Sequence, residues 1–192
     1  MESAVVEKLV LFVCTGNTCR SPMAEAIFRY EAKRRGLPAL VRSAGLDTES
    51  KRSMHLHSLR TLANHGLSVE NFTPTPFSEQ LIREATAIVC MTERQKELAA
   101  YHCTQVLGVD GAQKAYAFSD FCGYSIPDPY GQGVEAYEDT YKALEGGMSA
   151  LIDALFPKNT EKPTADNTKN TAAKKKTTGA RRGRPRKEKI TE

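Results

Sequence analysis

A thiol and a guanidinium six positions apart, Cys14 and Arg20, bracket a short polar run in Val13-Cys14-Thr15-Gly16-Asn17-Thr18-Cys19-Arg20-Ser21. A free thiol has a pKa of about 8.5, so only its minority thiolate is nucleophilic at neutral pH. Backbone N–H groups converging on one point, a helix N-terminus and a fixed positive charge all favour that anion. They also favour an oxyanion bound beside it. Arg20 adds a planar fork that suits two equatorial oxygens of a transferring phosphoryl group. Gly16 is expected to let the loop turn where a Cβ would crowd a ligand, and Asn17 to tolerate a left-handed backbone. Ser21 has two readings. It caps a helix, or its hydroxyl stabilises the sulfur as leaving group when a phosphocysteine breaks down. That chemistry also needs a general acid. The candidate is Asp128, in the Pro- and Gly-rich stretch Asp128-Pro129-Tyr130-Gly131, where a protruding carboxylate is expected.

These residues need a scaffold that holds a thiol at the base of a phosphate-binding loop. Leu9-Val10-Leu11-Phe12-Val13 is continuously apolar, the pattern of a strand buried on both faces. Ser21-Pro22 then opens a helix, because proline is tolerated in the first turn. Strands are predicted at 9–13, 39–43, 86–91 and 115–119. Helices are predicted at 22–35, 54–65, 78–84, 93–101 and 134–156. Gly36 and Gly66 serve as stops. In the last helix Tyr137, Tyr141, Leu144, Met148, Leu151, Ile152 and Leu155 form a stripe for packing on a sheet. Alternating strands and helices give an α/β fold of three layers, a doubly wound parallel twisted sheet with helices on both faces. The Cys14 loop then lies at the carboxyl end of its strand, where ligands bind.

The Cys14-x5-Arg20-Ser21 motif, Ser43-Ala44-Gly45 and the late Asp128-Pro129-Tyr130 resemble the low-molecular-weight protein tyrosine phosphatases, from about Lys8 to Phe156. The resemblance implies four strands. It also implies Cys14 as nucleophile, Arg20 as phosphate ligand and Asp128 as acid and then base. Asn17, Ser21 and Ser43 support the loop, and neither metal nor cofactor is implied. Thr15, Gly16, Asn17, Thr18, Cys19, Ser21 and Tyr130 form the implied substrate-binding set. Thr18 resembles the arginine-phosphatase branch of the family, where tyrosine-directed members usually carry a larger aliphatic residue. A short hydroxyl leaves room and polarity for a guanidinium, whereas an aliphatic wall suits a phenyl ring. Phosphoarginine in proteins is the expected substrate, with phosphotyrosine the alternative. Tyr130 would stack on the planar group. Asp47 adds negative charge, and there the chain departs from the arginine-directed branch, which can carry an aromatic. Cys19 is either a redox partner that captures oxidised Cys14 as a disulfide, or a small residue filling the loop. Arsenate reductases of the same fold need two further cysteines close together. Cys90, Cys103 and Cys122 form no close pair, and Pro22 stands where the reductases commonly carry Gln.

Charge divides the chain. Residues 1–156 hold 15 Lys/Arg and 19 Asp/Glu, a net −4; residues 157–192 hold 12 and 4, a net +8. The first part reads as one phosphatase domain. The second has Ile190 as its only large aliphatic side chain, so it is expected to be disordered. Its Arg182-Gly183-Arg184-Pro185 core with flanking basic residues resembles an AT-hook, so residues 174–189 are a candidate contact for A·T-rich DNA or another polyanion. A localisation signal and a solubilising tail are the other readings. A second functional class follows from the tail, a nucleic-acid-associated protein whose phosphatase-like domain only binds phosphorylated partners. Five cysteines in no secreted pattern and no targeting or membrane segment indicate the cytoplasm, with nucleoid or nuclear association through the tail. His55, His57 and His65 complete no metal spacing and read as surface or capping residues. The oligomeric state is not written in any of these patterns.

Overall fold

The structure is a computed structural model that describes residues 7–49 and 53–157. The expected tail from residue 158 onward, with its candidate polyanion segment 174–189, lies outside the described residues. Four parallel strands, β1 (Lys8–Cys14), β2 (Ala39–Gly45), β3 (Ala87–Cys90) and β4 (Ala115–Ala117), form one sheet in the order β2-β1-β3-β4. Helices are α1 (Arg20–Arg34), α2 (Leu56–Asn64), α3 (Glu79–Glu84), α4 (Glu93–Leu107), α5 (Ser119–Cys122) and α6 (Val134–Leu155).

The unbroken apolar run of β1 has its cause in the strand's place inside the sheet. Alternate residues feed two separate cores. Val10, Phe12 and Cys14 face α1 and α6, packing with Met23, Phe28, Leu144 and Leu151. Leu11 and Val13 face α3 and α4, packing with Leu81, Ile82, Ala99 and Cys103. Burying each such side chain is worth about 1.5–3 kcal/mol, so the position of Cys14 is held by a strand buried from Leu9 onward. The chain leaves β1 towards one face and β3 towards the other. Cys14 therefore ends its strand where the connections diverge and open a crevice.

Several boundaries differ from the sequence reading. The first helix begins at Arg20, with Cys19 rather than Ser21 in the cap position. Pro22 still lies in the first turn, where a missing N–H costs nothing. Helix α4 runs on to Leu107 rather than stopping at Tyr101, because Cys103 is buried against the sheet and the break comes at Gly108, with φ 85°. Strand β4 stops at Ala117 instead of Ser119. There Asp120 Oδ2 accepts the Ala117 N–H at 2.9 Å and the chain turns into α5, which the sequence reading missed together with a 3-10 turn at Val109–Lys114. The α6 stripe packs as expected, with Tyr137, Tyr141, Leu144, Met148, Leu151 and Ile152 buried.

Candidate active site

The loop between β1 and α1 is pinned from outside by its carbonyls. Leu46 N donates to Cys14 O, Asp47 N to Thr15 O and His55 N to Thr18 O, each at 2.9 Å. Carbonyls turned outward leave the N–H edges to line the concave side, the arrangement of an anion nest. The Thr15 hydroxyl accepts from Gln95 Nε2 at 3.0 Å, and Gln95 Oε1 in turn accepts the Met91 N–H at 3.1 Å, which ties the loop to α4.

Asn17 is fully buried with φ 52°, the left-handed backbone its type tolerates. Its amide orientation follows from its partners. The Thr75 N–H can only donate, so the atom 2.8 Å away is the acceptor Oδ1. Nδ2 then donates to both Ser21 Oγ and Ser43 Oγ at 2.9 Å. Each serine must direct its own proton elsewhere. Ser43 donates to Glu25 Oε2 at 2.6 Å, and Ser21 lies 3.0 Å from Cys14 Sγ, with the Ala44 carbonyl a poorer acceptor at 3.3 Å. Of the two readings of Ser21, the helix cap is therefore corrected: the hydroxyl faces the sulfur. A thiolate at Sγ takes that proton as a charge-assisted hydrogen bond.

Around Gly16 the protein itself leaves room. A Cβ there would meet nothing nearer than Thr18 Oγ1 at 3.7 Å, and its φ is not positive. The glycine with no room is Gly45, at the end of β2, whose Cβ would sit 2.6 Å from Thr15 O and 2.8 Å from Asn17 N. Gly45 also pairs with the Thr73–Phe77 segment: its N–H donates to Thr75 O and its carbonyl accepts from Phe77 N. The Thr73-Pro74-Thr75-Pro76 run thus presents the Thr75 N–H that orients Asn17.

Across the crevice, Asp128 comes to Arg20 from 108 residues away. Its Oδ2 accepts from Arg20 Nη2 at 2.5 Å, and its Oδ1 accepts the Tyr130 N–H at 3.2 Å. Arg20 is buried while the Asp128 side chain is 51% exposed, so one end of the ion pair is fixed and the other opens to solvent. Arg20 Nε is buried with no hydrogen-bond partner among the described residues, a donor left to meet an oxyanion. Cys14, Thr15, Gly16, Thr18, Cys19, Arg20, Asp128 and Tyr130 all border one cleft of about 230 Å³. Asp47 and Glu49 complete its wall, and Glu49 had escaped the sequence reading. Asn17, Ser21 and Ser43 lie behind it. The Cys19 thiol is 3.6 Å from Thr18 Oγ1 and 3.7 Å from Tyr137 Oη, and burial pushes its pKa up against the pull of those hydroxyls. His55 caps α2, its Nδ1 accepting the His57 N–H at 3.3 Å, and its ring stacks on Tyr137. Burial, then the neighbouring His57, lowers its pKa. Among the described residues no group of three His, Cys, Asp or Glu side chains could hold a metal, and no helix is long and apolar enough to cross a membrane.

Glu25 and Gln95 also went unnoticed in the sequence. Glu25 had a signal, a lone carboxylate inside Met23-Ala24-Glu25-Ala26-Ile27-Phe28 and one turn beyond Ser21. Gln95 had none.

Residues 9–162 match the family of low molecular weight phosphotyrosine protein phosphatases. The chain belongs to that family. It is a low-molecular-weight protein phosphatase, of a class that works without metal. A protein-arginine-phosphatase of Bacillus subtilis is 32% identical over 149 residues, 76% of this chain and 95% of the relative. The low molecular weight protein-tyrosine-phosphatase Wzb of Salmonella typhimurium is 34% identical, over 76% of this chain and 93% of its own. Among solved structures, a YwlE mutant from Bacillus subtilis superposes with a TM-score of 0.71 at 30% identity, covering 78% of this phosphatase and 99% of that chain. A YwlE arginine phosphatase whose mutant carries a phosphorylated active-site serine in place of cysteine matches at the same TM-score and identity, over 79% and 97%.

Proposed function

We propose that this phosphatase removes phosphoryl groups from phosphoarginine in proteins, through a phosphocysteine on Cys14. Cys14 Sγ attacks phosphorus, the P–N bond breaks, and Asp128 delivers a proton to the departing guanidinium nitrogen. Arg20 and the loop N–H groups hold the equatorial oxygens, and Ser21 donates to the sulfur when it leaves. Water then attacks the phosphocysteine with Asp128 taking its proton, releasing inorganic phosphate and the thiolate.

One observation carries the substrate. Thr18, a short hydroxyl, shares the cleft with three carboxylates: Asp47, Glu49 and Asp128. A wall of that charge favours a cationic guanidinium over a neutral phenyl ring. The 32% identical protein-arginine-phosphatase supports the same direction. The test is kcat/KM on phosphoarginine against phosphotyrosine peptides, in wild type and in Thr18→Ile. Phosphoarginine is expected to lead by tenfold or more, on the order of one or two lost polar contacts, and to lose that lead in the variant. Equal efficiencies in both proteins would overturn the assignment. Turnover of either peptide by Cys14→Ser would overturn the mechanism.

Cys19 is assigned as the redox partner of Cys14. Peroxide converts the Cys14 thiolate to a sulfenic acid, and Cys19 displaces water from it to give a disulfide. Dithiothreitol is then expected to restore peroxide-treated wild type but not Cys19→Ser; equal recovery of the two would assign Cys19 to loop packing. The polyanion contact of residues 174–189 is a separate proposal that rests on their charge and on the AT-hook-like Arg182-Gly183-Arg184-Pro185 core.

A further inference from the structure

A second hollow opens beside the catalytic cleft. It holds about 540 Å³ and is bordered by Thr18, Ser53, Met54, His55, Leu56, Leu59 and Tyr130. Thr18 and Tyr130 also border the catalytic cleft, so these two side chains form the ridge between the hollows. The two differ in charge, since the catalytic cleft is lined by carboxylates and the second hollow by none. The catalytic cleft carries the carboxylates Asp47, Glu49 and Asp128, whereas the second hollow includes apolar side chains left in water: Leu56 is 55% exposed, Leu59 38% and Tyr130 57%. Leu56 and Leu59 lie three residues apart on α2 and so project from one helix face. His55, which also borders it, is favoured in its neutral form by burial and by His57.

A phosphoprotein cannot enter a cleft of about 230 Å³; only its phosphorylated side chain does, and its main chain lies across the mouth. An extended chain advances about 3.3–3.6 Å per residue, so neighbours one to three positions away pass over the ridge. We infer that this second hollow is a substrate subsite, which takes an apolar side chain lying one to three residues from the phosphorylated residue. The occupant is thereby fixed by continuity with the reacting cleft, and the exposed leucines gain by burial against it. This inference rests on the reading of the protein as a phosphoprotein phosphatase, not on which phosphorylated residue it prefers.

The test uses the full chain and two matched peptide series, phosphoarginine and phosphotyrosine, with Leu, Ser or Lys at each flanking position. p-Nitrophenyl phosphate serves as a substrate with no flanking chain. Leu at one flanking position is expected to raise kcat/KM about tenfold over Ser, through KM. The double variant Leu56→Ser/Leu59→Ser is expected to level that advantage, so its ratio of peptide to p-nitrophenyl phosphate efficiency falls by the same factor. Thermal melting of the variant checks that α2 is retained, and single substitutions stand in if it is not. An advantage absent in wild type, or surviving in the variants, would overturn the subsite. So would a dimer in sedimentation that the double substitution dissolves, which would assign the hollow to a second copy of the chain. A phosphotyrosine preference with the flanking advantage intact would overturn only the phosphoarginine reading.

Discussion

The floor of the cleft and its rim are built in opposite ways. On the floor, Cys14, Asn17, Arg20 and Ser21 are all less than 5% exposed, and the polar side chains there interlock from Glu25 through Ser43, Asn17 and Ser21 to the sulfur. In low-dielectric surroundings each of those bonds fixes the direction of the next, so the floor has one arrangement. The rim comes from separate stretches of chain: Asp47 and Glu49 follow β2, while Asp128 and Tyr130 precede α6. Its groups are exposed, and the ion pair of Asp128 has one end in solvent. The lesson is a division of labour. We propose that the rigid floor sets which bond is broken, and that the open rim sets whose phosphoryl group arrives and how its leaving group is protonated.

That division is open to attack. The largest effect is expected at the point where the rim touches the chemistry. Asp128→Asn should lower kcat by about 10²–10⁴-fold, the usual contribution of a positioned acid. It should leave melting nearly unchanged, because a half-exposed ion pair contributes little. A large loss of stability would mean that the rim is structural after all. Next comes a pair of glycines. Gly45→Ala forces a Cβ to within 2.6 Å of Thr15 O and should destabilise the fold by about 1–3 kcal/mol. Gly16→Ala, with its nearest contact at 3.7 Å, should stay within about 0.5 kcal/mol. Equal melting temperatures for the two would show that the floor is not held as tightly as its geometry indicates.

The smallest effect is a pH dependence at the edge of the floor. His55 N holds the Thr18 carbonyl and His55 Nδ1 caps α2. Its folded-state pKa lies below the unfolded value of about 6.5, so the unfolded chain takes up the proton first as pH falls. The contribution is complete above about pH 6.5 and declines below it, where a protonated Nδ1 no longer accepts. The loss should be about 1 kcal/mol or less, the usual value of a cap. Melting curves from pH 8 to 5.5 should show wild type losing more than His55→Asn, which keeps a capping acceptor without titrating. Parallel curves would remove His55 from the account.

Legibility followed the distance along the chain. The loop motif, the strand before it and the α6 stripe could be read directly, since apolar spacing and turn residues act over a few positions. The two roles of Ser21 could not be separated, because the choice depends on Asn17, whose amide is oriented by Thr75, 58 residues further on. The tightness at Gly45 could not be read, because Thr15 and Asn17, which crowd it, belong to the loop after a different strand. The end of α4 was missed because a buried Cys103 carries the helix past the point where propensity weakens.

The sequence by itself determined the nucleophile's loop, the alternation of strands and helices and the order in which they come. Each is a local matter of residue type, hydrophobic period and capping. The tertiary structure alone decided that Asp128 meets Arg20, that Ser21 Oγ lies beside the Cys14 sulfur, and that Asp47 and Glu49 line one cleft with Thr18. Those contacts depend on the strand order β2-β1-β3-β4, which brings the ends of distant connections together over one crevice.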